Sequence, residues 1–166
     1  MQLFEQNYRY WIKYSPYNPL IYIILYMTKN NSKTKKKSII DVYPTIYDVD
    51  IVVANKYTTI KQINKLYETV DHKDFDDDDT CLAYTQPGYN KVTNRPIILV
   101  KYCGDTIQKD KNKKLDLINT CAHEAVHVCM RIYSKTGEEV YKDDHNELLA
   151  YLLGWVTENI YKTWTK

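Results

Sequence analysis

The chain lacks the features that mark several large function classes. Its four cysteines, Cys81, Cys103, Cys121 and Cys129, contain no C-x-x-C pair, which argues against a thiolate zinc cluster. With 166 residues the chain is long enough to pack its own core, so no disulfide framework is expected. The thiols are read as reduced and mostly buried. There is no long hydrophobic run. The most apolar stretch, Leu20 to Met27, has eight residues, against about 20 for a membrane-spanning helix. Arginine occurs only as Arg9, Arg95 and Arg131, and the net charge is +2, too small to imply a nucleic-acid partner. The segment MQLFEQNYRYW lacks the basic region, apolar run and small-residue cleavage site of a secretory signal. The expected location is a cytoplasm, or a particle assembled in one.

Hydrophobic residues at 44% and charged residues at 27% suit one ordinary globular domain. The 17 tyrosines, together with abundant lysine, asparagine and isoleucine, read as a bias toward AT-rich codons rather than as tyrosine chemistry.

Two parts are expected. Residues 1–38 form an aromatic arm, broken by Pro16 and Pro19, that ends in the basic loop KNNSKTKKKS and packs on the domain or on a partner. Residues 39–166 form the domain. Within it, 46–54 alternates apolar and polar positions and is rich in β-branched residues, as a strand requires. Thr58 or Thr59 caps a helix through Val70, with Ile60, Ile63, Leu66, Tyr67 and Val70 at helical spacing. The acidic loop 71–79 lacks the glycine and spaced oxygens of a calcium loop. A strand at 80–86 leads to a turn at Pro87-Gly88. A third strand, 96–102, ends at Gly104. A polar loop at 109–114 precedes a helix over 115–133, which Gly137 stops. A last helix covers 147–161, capped by Asp143, Asp144 or Asn146. No segment repeats. The order predicts an α+β domain with a small, mostly antiparallel or mixed sheet.

The chemistry concentrates in His123-Glu124-Ala125-Val126-His127. At about 100° per residue, His127 lies about 40° from His123 and one turn along, so both imidazoles point the same way. Two such nitrogens can share one tetrahedral Zn²⁺. Glu124, about 100° round the wheel, is poorly aimed to be a ligand but can reach a water on the metal, as a general base must. H-E-x-x-H on a helix is a general signature of zinc metallopeptidases, in which the two histidines bind the metal and the glutamate is the base. Ile118, Cys121, Ala122, Ala125, Val126 and Cys129 fall on the flanks or back of the helix and are expected in the core. A third protein ligand is required. Glu147, at the start of the next helix, is the first candidate and His145 the rival. Asp143 and Asp144 read as a capping turn, and His72 as a solvated histidine.

Taken with NELLAYLLGW at 146–155, the HEAVH helix resembles the zincin metallopeptidases of the gluzincin kind. More narrowly, it resembles small bacteriophage-encoded metallopeptidases in which a similar helix precedes an E-x-x-AYL-x-G helix. The likeness covers about the last 50 residues. It implies a zincin-like domain in which His123, His127 and Glu147 hold Zn²⁺ and Glu124 is the base. Tyr151 stands where some gluzincins place an aspartate behind the first histidine. A looser likeness, to phage and bacterial regulatory peptidases, lacks their Ala-Asn-x-Phe-Ala pattern.

The implied function is zinc-dependent hydrolysis of peptide bonds in a protein or peptide substrate, with Tyr141, His145 or Tyr151 stabilising the oxyanion. The substrate is expected as an added strand along a sheet edge, taken to be 96–102. The alternative is a phage virion component with a zincin-like fold and little or no catalysis, touching other virion proteins through the aromatic arm. No nucleic-acid partner and no membrane span are expected.

Overall fold

The structure is a computed structural model that describes residues 37–77, 80–104, 113–137 and 147–166. All of these belong to one compact unit, Thr34–Lys166. The arm expected at 1–38 lies outside the described residues, apart from Lys37 and Ser38.

The fold is α+β, built on a five-stranded mixed sheet. In chain order the described elements are β1 (Ile40–Pro44), β2 (Asp50–Ala54), α1 (Ile60–Asn64), β3 (Tyr67–Thr69), β4 (Ala83–Asn90), β5 (Pro96–Tyr102), α2 (Lys113–Thr136) and α3 (Glu147–Trp164). The strands lie in the order β1-β2-β5-β4-β3. Only β2 and β5 run parallel, and the other neighbours are antiparallel.

β2 and β5 are apolar on both faces because both faces are covered. Ile51, Val53, Ile98 and Val100 turn toward α2 and α3, where they meet Cys121, Ala125, Val128, Cys129, Ile132, Leu152, Val156 and Ile160. Val52, Ala54, Ile97 and Leu99 turn the other way and meet Ile63, Tyr67 and Phe75. The strand expected as a sheet edge, 96–102, is therefore the central one. The edges are β1 and β3.

A polar knot closes the end of β2. Asn55, 1% exposed, accepts on Oδ1 from Ile39 N at 3.2 Å, Tyr57 N at 3.2 Å and Thr58 Oγ1 at 3.0 Å, and donates through Nδ2 to Lys37 O at 2.9 Å. A buried amide with this many partners costs little, and it fixes where the strand stops.

Thr59 caps α1 through a capping box: its hydroxyl accepts from Gln62 N at 3.3 Å, and Gln62 Oε1 accepts from Thr59 N at 2.8 Å. The helix does not reach Val70 as its spacing suggested. Asn64 ends it by gripping the backbone of Phe75, with Nδ2 to the Phe75 carbonyl at 2.9 Å and Phe75 N to Oδ1 at 2.9 Å. Tyr67 then enters β3, while Leu66 and Val70 are 45% and 49% exposed.

Pro87 and Gly88 are not a turn but the interior of β4. Cys103 N donates to Leu82 O at 2.9 Å and Asn90 N to Arg95 O at 2.9 Å, so even-numbered residues of β4 direct their backbone groups at β5. Odd-numbered ones direct theirs outward, which is where a proline without an N–H is tolerated. Gly88 is dictated by crowding, since a Cβ there would lie 2.1 Å from Glu68 O and 2.7 Å from Phe75 Cζ. Gly88→Ala is expected to lose about 3 kcal/mol in denaturant unfolding, and unchanged stability would contradict the β3–β4 register. The reversal falls at Lys91–Asn94 instead. There the Asn90 side chain accepts from Val92 N at 2.9 Å and Thr93 N at 3.0 Å, and Asn94 has φ +54°.

The two long helices follow their apolar periodicity. Gly137, at φ +69°, ends α2. Val126 faces solvent at 46% exposure rather than the core, because Ala125, Val128, Cys129 and Ile132 fill that contact. α3 closes on the sheet through Trp164, stacked on Tyr102 at 4.7 Å between centroids, and through the Thr163 hydroxyl, which donates to Asp41 at 2.7 Å. No helix among the described residues is long and apolar enough to cross a membrane.

Candidate metal and catalytic site

The site lies where α2 crosses the helix-side face of β4. In that pairing Thr85 stands opposite Val100 and Pro87 opposite Ile98, so both side chains turn toward α2. The buried ridge of Cys121, Ala125, Val128 and Ile132 presses the helix onto the sheet. It leaves His123 and His127 on the exposed flank and sets Glu124 against β4.

His123 and His127 come together. Their Nε2 atoms are 3.1 Å apart, and the rings meet edge to face at 4.7 Å between centroids. Two nitrogens bound to one tetrahedral zinc at about 2.0–2.1 Å would be separated by about 3.3–3.4 Å. The observed spacing fits a shared cation to within a few tenths of an ångström, and both rings are open to solvent.

Glu124 is only 4% exposed. Its Oε2 accepts a hydrogen bond from the Thr85 hydroxyl at 2.6 Å, a short charge-assisted contact. The bond holds one carboxylate oxygen against the sheet and fixes the rotamer of the other. Arg131, two turns further along α2, donates through Nη2 to the Thr85 carbonyl at 3.2 Å. Thr85 thus joins the glutamate and an arginine through opposite ends of one residue.

Sequence reasoning missed Thr85. It lies 39 positions from Glu124 in a strand where nothing local marks it. Thr85→Val keeps the shape and removes the donor to a buried carboxylate. It is expected to cost about 2 kcal/mol of stability and to slow any hydrolysis, with Thr85→Ser restoring both. A Val variant as stable and as active as wild type would mean that the contact holds nothing.

The other candidates are placed less closely. Glu147 is the first residue of α3 and is exposed. Among the described residues no group of three His, Cys, Asp or Glu side chains is gathered as a metal site. Tyr141, Asp143, Asp144, His145 and Asn146 lie outside the described residues. Tyr151 is half-buried on α3. His72 is solvated, at φ +56°, with Nδ1 2.7 Å from Glu68 Oε1 and its ring stacked on Tyr89. Cys121 and Cys129 are buried, and burial pushes both thiols up, that of Cys129 to about 12.

Beyond the histidine pair lies the outward side of β4, where Arg131 holds the Thr85 carbonyl. β3 covers it only from Gly88 to Asn90, so Ala83–Pro87 has no strand neighbour on that side among the described residues. The chain matches no protein-family model, no curated protein and no solved structure.

Proposed function

We propose that the chain is a zinc-dependent peptidase of the zincin kind. The observation that carries this reading is the pairing on one helix of two imidazoles at metal-sharing distance with a buried, hydrogen-bonded glutamate next in sequence. Two histidines alone are as well explained by a shared proton. A carboxylate kept in a dry setting beside them is not needed for that, but a general base beside a metal needs it.

His123 and His127 would hold the metal, with Glu147 as the third ligand and His145 as its rival. When bound, zinc supplies a Lewis acid for the scissile carbonyl and makes water a usable nucleophile near neutral pH. Glu124 takes the proton of the attacking water and passes it to the leaving amine. Thr85 holds that carboxylate in place through the cycle. The substrate lies extended along the outward side of β4, between Ala83 and Pro87, where backbone groups other than the Thr85 carbonyl, which Arg131 holds, face outward. Tyr151, together with Tyr141 and His145, remains a candidate donor to the oxyanion.

The deciding experiment is cleavage of unfolded proteins and peptide libraries by wild type and Glu124→Gln, with zinc content measured in each sample. A zincin-like virion protein without catalysis is the competing reading, motivated by the aromatic segment 1–28, and it predicts silence from both.

A further inference from the structure

A cleft of about 400 Å³ lies beside the histidine pair, lined by Pro87 of β4 and by His127, Met130, Arg131, Ser134 and Lys135 of α2. His127, Arg131 and Lys135 are spaced four apart, so they descend one flank of the helix in steps of about 6 Å.

Both cations are anchored on carbonyls rather than on acids. Arg131 Nη2 donates to Thr85 O at 3.2 Å and Lys135 Nζ to Asp48 O at 2.8 Å. Neither pairs with a carboxylate among the described residues. Arg95 shows the contrast: Asp50 at 2.9 Å and Asp48 at 3.2 Å engage it. A guanidinium bound through a single nitrogen keeps most of its five donors for another group, in the fork geometry that matches a carboxylate. Met130, 45% exposed, and Pro87 supply apolar surface for the aliphatic part of such a group.

We infer that this cleft receives a carboxylate of the substrate at Arg131, with Lys135 behind it, so that the chain selects peptides carrying negative charge next to the bond cleaved. One helical turn from His127 corresponds to one or two residues of an extended peptide at about 3.3 Å each. The carboxylate comes from an acidic side chain or from a free C-terminus, and the chemistry of recognition is the same. The selection of cleavage sites rests on the peptidase reading, whereas the binding of the carboxylate does not.

The test uses four peptides of one core sequence, with an acidic or a neutral side chain and a free or an amidated C-terminus. Binding to Glu124→Gln is measured by calorimetry, and hydrolysis by wild type by mass spectrometry. One source of carboxylate is expected to tighten binding by roughly tenfold, with the gain fading as salt rises. The acidic amidated peptide and the neutral free-acid peptide show which source it is.

Arg131→Gln should abolish the preference, and Arg131→Glu should turn it toward a lysine-bearing peptide, a gain that unfolding cannot produce. Equal affinity for all four peptides, no binding of any, or a preference unchanged in Arg131→Gln would overturn the inference. A carboxylate preference without hydrolysis would uphold the cleft and remove the peptidase reading alone.

Discussion

Glu124→Gln is expected to fold, to keep its zinc and to lose about 10²–10⁴-fold in the rate of peptide-bond hydrolysis. Glutamine preserves shape at a site that is 4% exposed, and its amide oxygen can still accept from Thr85. What it cannot do is take up a proton. Because Glu124 as general base would act on the water and not hold the metal, zinc content is the control that separates a lost base from a lost site. Equal, chelator-sensitive cleavage by both proteins would show that another group is the base. Silence from both, with zinc present in both, would favour the virion-protein reading.

The second large effect concerns the metal. His123→Ala or His127→Ala is expected to abolish zinc binding, because each removes half of the pair whose Nε2 atoms lie 3.1 Å apart. If zinc is present at about 100 times its dissociation constant, the loss removes about 2.7 kcal/mol of stabilisation. For a chain of this size that is a fall of about 5–10 °C in Tm. Elemental analysis and thermal unfolding with and without chelator check it. Full zinc occupancy in either variant would end the assignment. In the same assay Glu147→Ala should weaken zinc far more than His145→Ala, and the reverse order would make the site a three-histidine one.

Much of the scaffold is legible in the residues alone. α2 and α3 announce themselves through long apolar periodicity and a terminal Gly137, and β2 and β5 through β-branched runs. The failures have one origin, which is that pairing between distant strands leaves little local trace. Leu66, Tyr67 and Val70 sit at helical spacing, yet contact with β4 turns Tyr67–Thr69 into a strand. β1 escapes notice because Ile40–Pro44 is an edge strand with a mixed burial pattern and a terminal proline. Pro87-Gly88 resembles a turn because only the folded register shows that the proline faces an open side and the glycine a crowded one.

The site divides in the same way. Spacing within a single helix reveals the histidine pair and places Arg131 on its flank, while Thr85 is found only by folding. The third ligand is not fixed by local pattern, which offers both Glu147 at the start of α3 and His145 before it.

The two layers of the sheet differ in size, and that difference has a dynamic consequence. Among the described residues the side lined by Ile63, Tyr67 and Phe75 is the thinner one, and of β3 only Tyr67 is buried in it. In native-state hydrogen exchange, amides of β3 and of its partners in β4 should open as a sub-global unit, while those of β2 and β5 exchange only on complete unfolding. When that unit opens, the stretch of β4 that has no outer strand neighbour among the described residues grows from Ala83–Pro87 to the whole of Ala83–Asn90. Mild denaturant is therefore the condition under which two copies of this chain would associate, strand to strand, without either having lost its central core.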